Sequence, residues 1–339
     1  MAFFNIRTAV AAFAIMTASS ALAENDGFSY VPHVHGTLRT RYELSTESGE
    51  SRFQVRNARL AIDGRVAPAV DYFMQVDLCD QGTFKSLDFW ARVELAKGLK
   101  VQAGQFRMPF GVDPFRAPHN YIFANRSFIG RQICNYRAVG FKLSYSLPAL
   151  PLTVEGGVFN PYTIGNHNVW SKRMAYAAKA TYTLGTVRLS TGLMSISPDE
   201  VRANLVDGCV SWSPGRWLLE AEYMYEHYTH DSHKPCHGYN AFVDYHFPIH
   251  AGLFDRLSFQ GRFDAMTSHS TGYRNDEGQL TDNNPARRRI TLGSTISHVK
   301  AKNLYVDLRV NYEKYFYDKG VETPAGQGDK ALVELVVRF

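Results

Sequence analysis

Between residues 108 and 137 the chain carries Arg116, Arg126, Arg131 and Arg137 against a single carboxylate, Asp113. A guanidinium offers several N–H donors in a planar fork that matches the oxygens of a carboxylate or phosphate. Four of them in one segment can attract and pass anions. Phe110, Phe115, Tyr121, Phe123 and Phe128 are interleaved with them and could pack the segment against a wall. The alternative is a solvated external loop whose arginines meet lipopolysaccharide phosphates. Bond chemistry has no comparable signature. G-x-S-x-G, H-E-x-x-H and P-loop motifs are absent from the sequence. Glu220 and Glu222 stand two apart on one strand face, too close for a glycosidase pair. The reading is therefore not an enzyme, although twelve histidines keep a barrel hydrolase as a distant rival. His227, His230, His233, Cys236 and His237 could hold zinc or copper. Their spacing fits no finger or catalytic zinc pattern, so they read as a polar loop, and no cofactor is expected.

The elements that would position these arginines are strands. Ala331, Val333, Leu335, Val337 and Phe339 alternate with Leu332, Glu334, Val336 and Arg338, the period of two that puts alternate residues on opposite faces. The rhythm recurs about sixteen times. Strands are expected near 33–45, 51–67, 70–80, 86–97, 99–107, 138–147, 151–160 and 172–184. Eight more follow near 187–197, 203–213, 216–228, 237–248, 256–268, 286–298, 302–315 and 330–339. Their connections alternate in length. Pro68-Ala69, Lys97-Gly98, Gly185-Thr186 and Pro214-Gly215 are tight, whereas 108–137, 161–171, 229–236, 269–285 and 316–329 are long, and only 249–255 breaks the pattern. Short turns on one rim and long loops on the other are the habit of a transmembrane antiparallel β-barrel. Trp212 and Trp217, and Tyr312, Tyr315, Phe316 and Tyr317, cluster at strand ends where aromatic girdles belong.

Residues 1–23 read as a secretory signal peptide: Arg7, then an apolar stretch from Ala9 to Met16, then Ala21-Leu22-Ala23 as a cleavage site. The apolar stretch is shorter than the ~20 residues of a membrane-spanning helix. Without Arg7 the net charge falls from +5 to +4, which gives no reason to expect nucleic acid. Residues 24–339 are expected to form one domain. Four cysteines (Cys79, Cys134, Cys209, Cys236) allow three disulfide pairings, and spacing does not choose among them.

Strand parity places further charges. If Leu38, Tyr42 and Leu44 face lipid, Arg39 and Arg41 face the lumen; Leu60 and Ile62 place Arg59 inside, and Phe141, Leu143 and Tyr145 place Lys142 inside. Arg107 ends its strand beneath the long segment. The same parity turns Asp71, Asp77, Asp88, Glu94, Glu220, Glu222 and Asp264 inward, so acids and bases roughly balance and anion preference rests on the constriction. Arg287, Arg288 and Arg289 form either an anion funnel or a lipopolysaccharide contact.

Several segments resemble the phosphate-selective porin O and P family. Gly98-Leu99-Lys100-Val101-Gln102-Ala103-Gly104-Gln105-Phe106-Arg107-Met108-Pro109-Phe110-Gly111 is similar to its strand running into a G-Q-F-basic-x-P-F-G turn. Arg56 to Gly64 resembles its R-x-A-R-L-x-x-x-G strand, Gly157-Val158-Phe159-Asn160 its G-x-F-N segment, and Glu220 to Tyr223 its E-Y strand. The resemblance implies a sixteen-stranded homotrimeric porin in the outer membrane of a Gram-negative bacterium. It also implies a loop folded into the lumen and an eyelet of arginine and lysine. Where the family often carries R-D-x-G, this chain has Arg137-Ala138-Val139-Gly140. The expectation is an anion-preferring diffusion pore for small hydrophilic solutes, with phosphate a candidate cargo. Its charged path would be Arg39, Arg41, Arg59, Arg107, Arg116, Arg126, Arg131, Arg137 and Lys142. The rival is a barrel adhesin or receptor acting through its outer loops.

Overall fold

Alternating sequence becomes sixteen antiparallel strands: β1 (His33–Ser45), β2 (Ser51–Ala67), β3 (Val70–Asp80), β4 (Thr83–Ala96), β5 (Leu99–Arg107), β6 (Arg137–Ser146), β7 (Leu152–Phe159) and β8 (Ala175–Leu184). They continue as β9 (Val187–Ile196), β10 (Ala203–Trp212), β11 (Trp217–Tyr228), β12 (Cys236–Ala251), β13 (Phe254–Met266), β14 (Arg287–Ala301), β15 (Leu304–Tyr317) and β16 (Lys330–Arg338). The computed structural model describes residues 29–339 apart from 134–135, 162–163, 167, 198–200, 271–275, 278–283, 302–303, 322 and 325. The expected leader at 1–23 and Cys134 lie outside the described residues. Cys79 and Cys209 carry free thiols.

Each strand pairs with its neighbours in the chain, and β16 returns to β1 with Thr37 opposite Arg338 and Ser45 opposite Lys330. The result is a closed barrel with no free sheet edge. The connection expected to spoil the loop rhythm does not. β12 and β13 run on to Ala251 and Phe254, leaving a two-residue turn at Gly252-Leu253. β4 starts earlier than expected because Gln81 and Gly82 both take positive φ and turn the chain tightly.

Burial is inverted relative to a water-soluble core. Leu38, Val333, Leu335, Leu193, Val210 and Phe263 are exposed, while Arg39, Arg287, Glu313 and Glu334 are among the most deeply buried side chains. Apolar residues outside and charges inside suit a cylinder standing in hydrocarbon with a polar bore. The seam closes on an aromatic. Gly36 and Phe339 exchange backbone hydrogen bonds of 2.6 and 3.1 Å, and a Cβ at Gly36 would fall within the Phe339 ring. Gly36→Val is expected to displace that ring and weaken the closing pair. Heat-modifiable mobility in detergent should show a lower melting temperature than wild type, and an unchanged temperature would mean the seam does not depend on this contact.

Candidate functional site

The segment after β5 does not loop outward. It folds into the barrel, with short 3-10 turns at Asp113–Phe115 and Pro118–Asn120 and a π-helical turn at Ile129–Ile133. The entry turn needs glycine. Gly111 sits at φ 76°, in the left-handed region that side chains disfavour, and a Cβ there would fall 2.7 Å from the Met224 methyl. The strand before it is built for close approach. Gly104 (φ 129°) packs against the Phe89 carbonyl, and buried Gln105 donates to Leu87 O at 2.7 Å and accepts from the Ile164 N–H at 2.6 Å. Phe106 packs edge-on to Phe159, at 5.5 Å between ring centres.

Two kinds of contact hold the segment to one side of the bore. The first is apolar. Phe110, Phe128, Ile129 and Ile133 pack on an inner-wall patch made by Phe159, Ala177, Met194, Leu205, Met224 and Met266. The second is polar and satisfies backbone groups that have no water to meet. Glu222 accepts the N–H groups of Val112 (2.5 Å) and Asp113 (3.0 Å). Asp264 accepts from Phe128 N–H at 2.9 Å, Asn311 from Ala124 N–H at 2.6 Å, and Glu313 from the Asn125 amide at 3.1 Å. From the cationic side, Arg39 donates to Ala124 O at 2.6 Å, Arg262 to Asn125 O at 2.9 Å and Arg289 to Arg126 O at 2.7 Å.

The expected arginines therefore divide. Arg116 pairs with Glu220 (2.5 Å) and Asp113 (3.2 Å) on the docked side. Burial alone would raise the Asp113 carboxyl, but Arg116, Arg126 and the Ser127 hydroxyl outweigh it and hold it below the usual carboxylate range. Arg126 stitches the loop to itself, donating to the Tyr121 hydroxyl, Gly130 O and Arg116 O. Arg287 and Arg289 form no funnel. Both are buried over the Phe128 ring, and Arg289 pairs with Asp264 at 2.7 Å and Glu313 at 3.2 Å. Arg288 points to Asp318 at the surface. The histidine cluster does not converge. Among the described residues the only three-group meeting of possible ligand atoms is Cys209, Glu220 and Glu222.

What the loop leaves open is a passage along β1–β6. Its outer cavity, of about 410 Å³, is lined by Arg39, Arg41, Arg52, Arg56, Arg59, Arg107, Arg126, Arg131, Arg137, Lys85 and Lys330. Two carboxylates, Glu43 and Asp80, line it with these eleven cations, and buried Glu334 pairs with Arg39 at 2.7 Å and Arg41 at 3.0 Å. An inner cavity of about 330 Å³ shares Arg59, Arg107 and Arg137 with the first and adds Lys142, His119 and Arg338. Arg59 is held by Asp77 at 3.0 Å, Arg137 by Asp88 at 3.1 Å and Lys142 by Glu155 at 2.6 Å. Among the described residues, Arg107 and Arg131 meet no carboxylate within salt-bridge distance. Tyr121 reports the local potential. Burial would raise its phenol, yet Arg126, Arg59, Arg39 and Arg107 outweigh that and hold it below its usual value.

Sequence parity missed Arg52, Arg56, Lys85 and Lys330, which lie toward the outer rim of the same space. It also missed the loop's seat. The signal was present: inward positions turn apolar at the outer ends of β9 and β10, where Met194, Ile196, Ala203 and Leu205 are buried.

The sixteen-stranded closed barrel, with a polar bore narrowed by an internal loop, has the architecture of a porin. The family model described as phosphate-selective porin O and P matches residues 39–195, which bears out the resemblance at Arg56–Gly64, Gly98–Gly111 and Gly157–Asn160; Glu220–Tyr223 lies outside the matched span. The fold is similar to that of an anion-selective porin from Comamonas acidovorans, at 14% identity and a TM-score of 0.62, covering 91% of this chain and 99% of that one. Salmonella typhi OmpF in complex with daunomycin gives 14% and 0.62, covering 94% and 99%. A loop L8 deletion mutant of OmpT, an outer membrane protein of Vibrio cholerae, gives 11% and 0.60, covering 91% and 99%. Identities this low speak to the fold alone. No curated protein matches the chain.

Glu222→Ala leaves the buried Val112 and Asp113 N–H groups without their acceptor, at a cost of roughly 1–3 kcal/mol each. The undocked loop population is expected to rise by about 100-fold or more. Trypsin cleavage at the loop arginines measures this, with the barrel's heat resistance unchanged as the control; wild-type cleavage rates would refute the role. His119 gives a pH prediction. Burial, then Arg338, Arg59 and Arg309, push its imidazole down to about 3, and it accepts a hydrogen bond from Arg338 as a neutral ring. Between pH 3 and its ordinary value of 6.5 the docked ring binds fewer protons than an undocked one. Docking should therefore weaken as pH falls through that window and be flat above it. Hydrogen-exchange protection of the loop amides in wild type and His119→Gln from pH 7 to 4 should diverge, the variant losing less; parallel curves would contradict it.

Proposed function

We propose that the protein is an outer-membrane diffusion porin that prefers anions. Its charged path runs past Arg39, Arg41, Arg59, Arg107, Arg126, Arg131, Arg137 and Lys142, with Arg116 acting from the docked side of the loop. One observation carries the reading: the loop consumes the carboxylates of one wall, and the opposite wall keeps an excess of guanidinium groups facing the passage. A polar bore offers a hydrated route across ~30 Å of hydrocarbon, and fixed charge at its narrowest part sets which ions enter. Low-dielectric walls focus the field of the arginines and concentrate anions there.

Phosphate fits the geometry, because adjacent guanidinium forks can take two of its oxygens at once. Paired arginines hold it less tightly than free ones would, which suits a site that must release its ion. Export directed by residues 1–23, contact of the outer rim with lipopolysaccharide, and assembly as a homotrimer belong to the same proposal. A trimer form is printed for one structural neighbour, OmpT of Vibrio cholerae.

The test is a reversal potential in a salt gradient across a planar bilayer, with and without phosphate. At a separation of about 8 Å one charge is worth roughly 0.5 kcal/mol at the dielectric of water and about 2 kcal/mol at an effective dielectric of 20. Arg107→Gln with Arg131→Ala is therefore expected to lower the anion-to-cation permeability ratio several-fold while conductance persists. Cation preference in wild type, or no ohmic steps at all, would remove the proposal.

A further inference from the structure

We propose that the inner cavity favours organic anions that carry an aromatic ring and a single carboxylate, such as benzoate. This rests on the anion-porin reading and narrows its cargo. The two cavities differ in kind. Cations dominate the outer one, whereas the inner one has an aromatic wall formed by Phe73, Trp90, Phe106 and Phe115. Phe73 and Trp90 come from inward positions on β3 and β4 and stack at 5.6 Å with 23° between ring planes. Both remain only half-buried, so ring surface still meets the cavity. Arg92, held by Asp71, lies over Trp90 at 5.1 Å and braces the stack.

Ring surface does nothing for a small hydrated inorganic ion, since it cannot replace the water that ion would shed. It does offer an offset or edge-on partner to a ligand ring. Of the cations that line this cavity (Arg59, Arg107, Arg137, Lys142 and Arg338), Arg107 borders both cavities and has no carboxylate within salt-bridge distance among the described residues. Its Nε is buried without a hydrogen-bond partner, and its Nη1 makes only a 3.4 Å bond to Arg116 O. Asp77, Asp88 and Glu155 already hold Arg59, Arg137 and Lys142, and Arg338 donates to the His119 ring. One uncommitted guanidinium next to an aromatic surface matches one negative end attached to one ring. The volume of about 330 Å³ falls in the range of small-molecule sites.

The experiment uses the full-length channel in planar bilayers, with sodium benzoate, acetate and phosphate added to potassium chloride. Benzoate should halve chloride conductance at a concentration about tenfold below that of acetate. Trp90→Leu and, as a second variant, Phe73→Leu should raise the benzoate value about fivefold and leave those of acetate and phosphate in place. Wild-type heat-modifiable mobility in either variant shows that its barrel is intact. Arg107→Gln should weaken all three. Equal block by benzoate and acetate, or a benzoate preference that survives both aromatic substitutions, overturns the aromatic selectivity while chloride preference stands. A wild-type reversal potential without chloride preference sinks the anion-porin reading and this inference with it.

Discussion

Glu222 accepts two backbone N–H groups from the turn at Val112 and Asp113, and Asp264, Asn311 and Glu313 take three further donors along the same segment. A chain that leaves its strand and crosses the bore must find partners for such groups, because those pressed against the wall have lost their water. The acidic inner faces of β11, β13 and β15 supply them. The course of the segment, the side on which the bore stays open and the charge of the opening all depend on these bonds.

Charge asymmetry follows. Counted along the strands, inward acids and bases nearly cancel, and a pore lined by both would select weakly. The folded chain separates them. Glu220, Glu222, Asp264 and Glu313 are committed to the loop or to the arginines beneath it, whereas the passage beside β1–β6 is lined by eleven cations with Glu43 and Asp80, and Glu334 pairs with two of those cations, Arg39 and Arg41. Tyr121 lies between Arg39 and Arg126, 4.9 and 4.8 Å from their guanidinium carbons, at the boundary between the two regions.

The departure at Ala138 also finds its explanation. An aspartate there would enter the apolar seat under the loop, where Ala138 is buried beside Phe106 and Phe159. The docked segment uses other acceptors, so it needs no carboxylate at that position. The segments that resemble the family are instead packing devices. Gly104, facing Gly140 across the sheet, and Phe106, packed on Phe159, bring β5, β6 and β7 close together.

Period-two alternation determined the sixteen strands, their order and which residues face inward. A strand has only two faces, and lipid selects one of them. Arg39, Arg41, Arg59 and Lys142 were legible for that reason, as were the inward acids. Alternation carries no information about a segment that is not a strand. It could not say that Arg116 would pair with Glu220 of β11, that Arg126 would be tied within the loop, that Arg287 and Arg289 would support it, or that Arg107 would meet no carboxylate among the described residues. Those outcomes depend on residues more than a hundred positions apart meeting across the bore, as Val112 and Glu222 do. Only closure of the barrel decides which of them come within hydrogen-bonding reach.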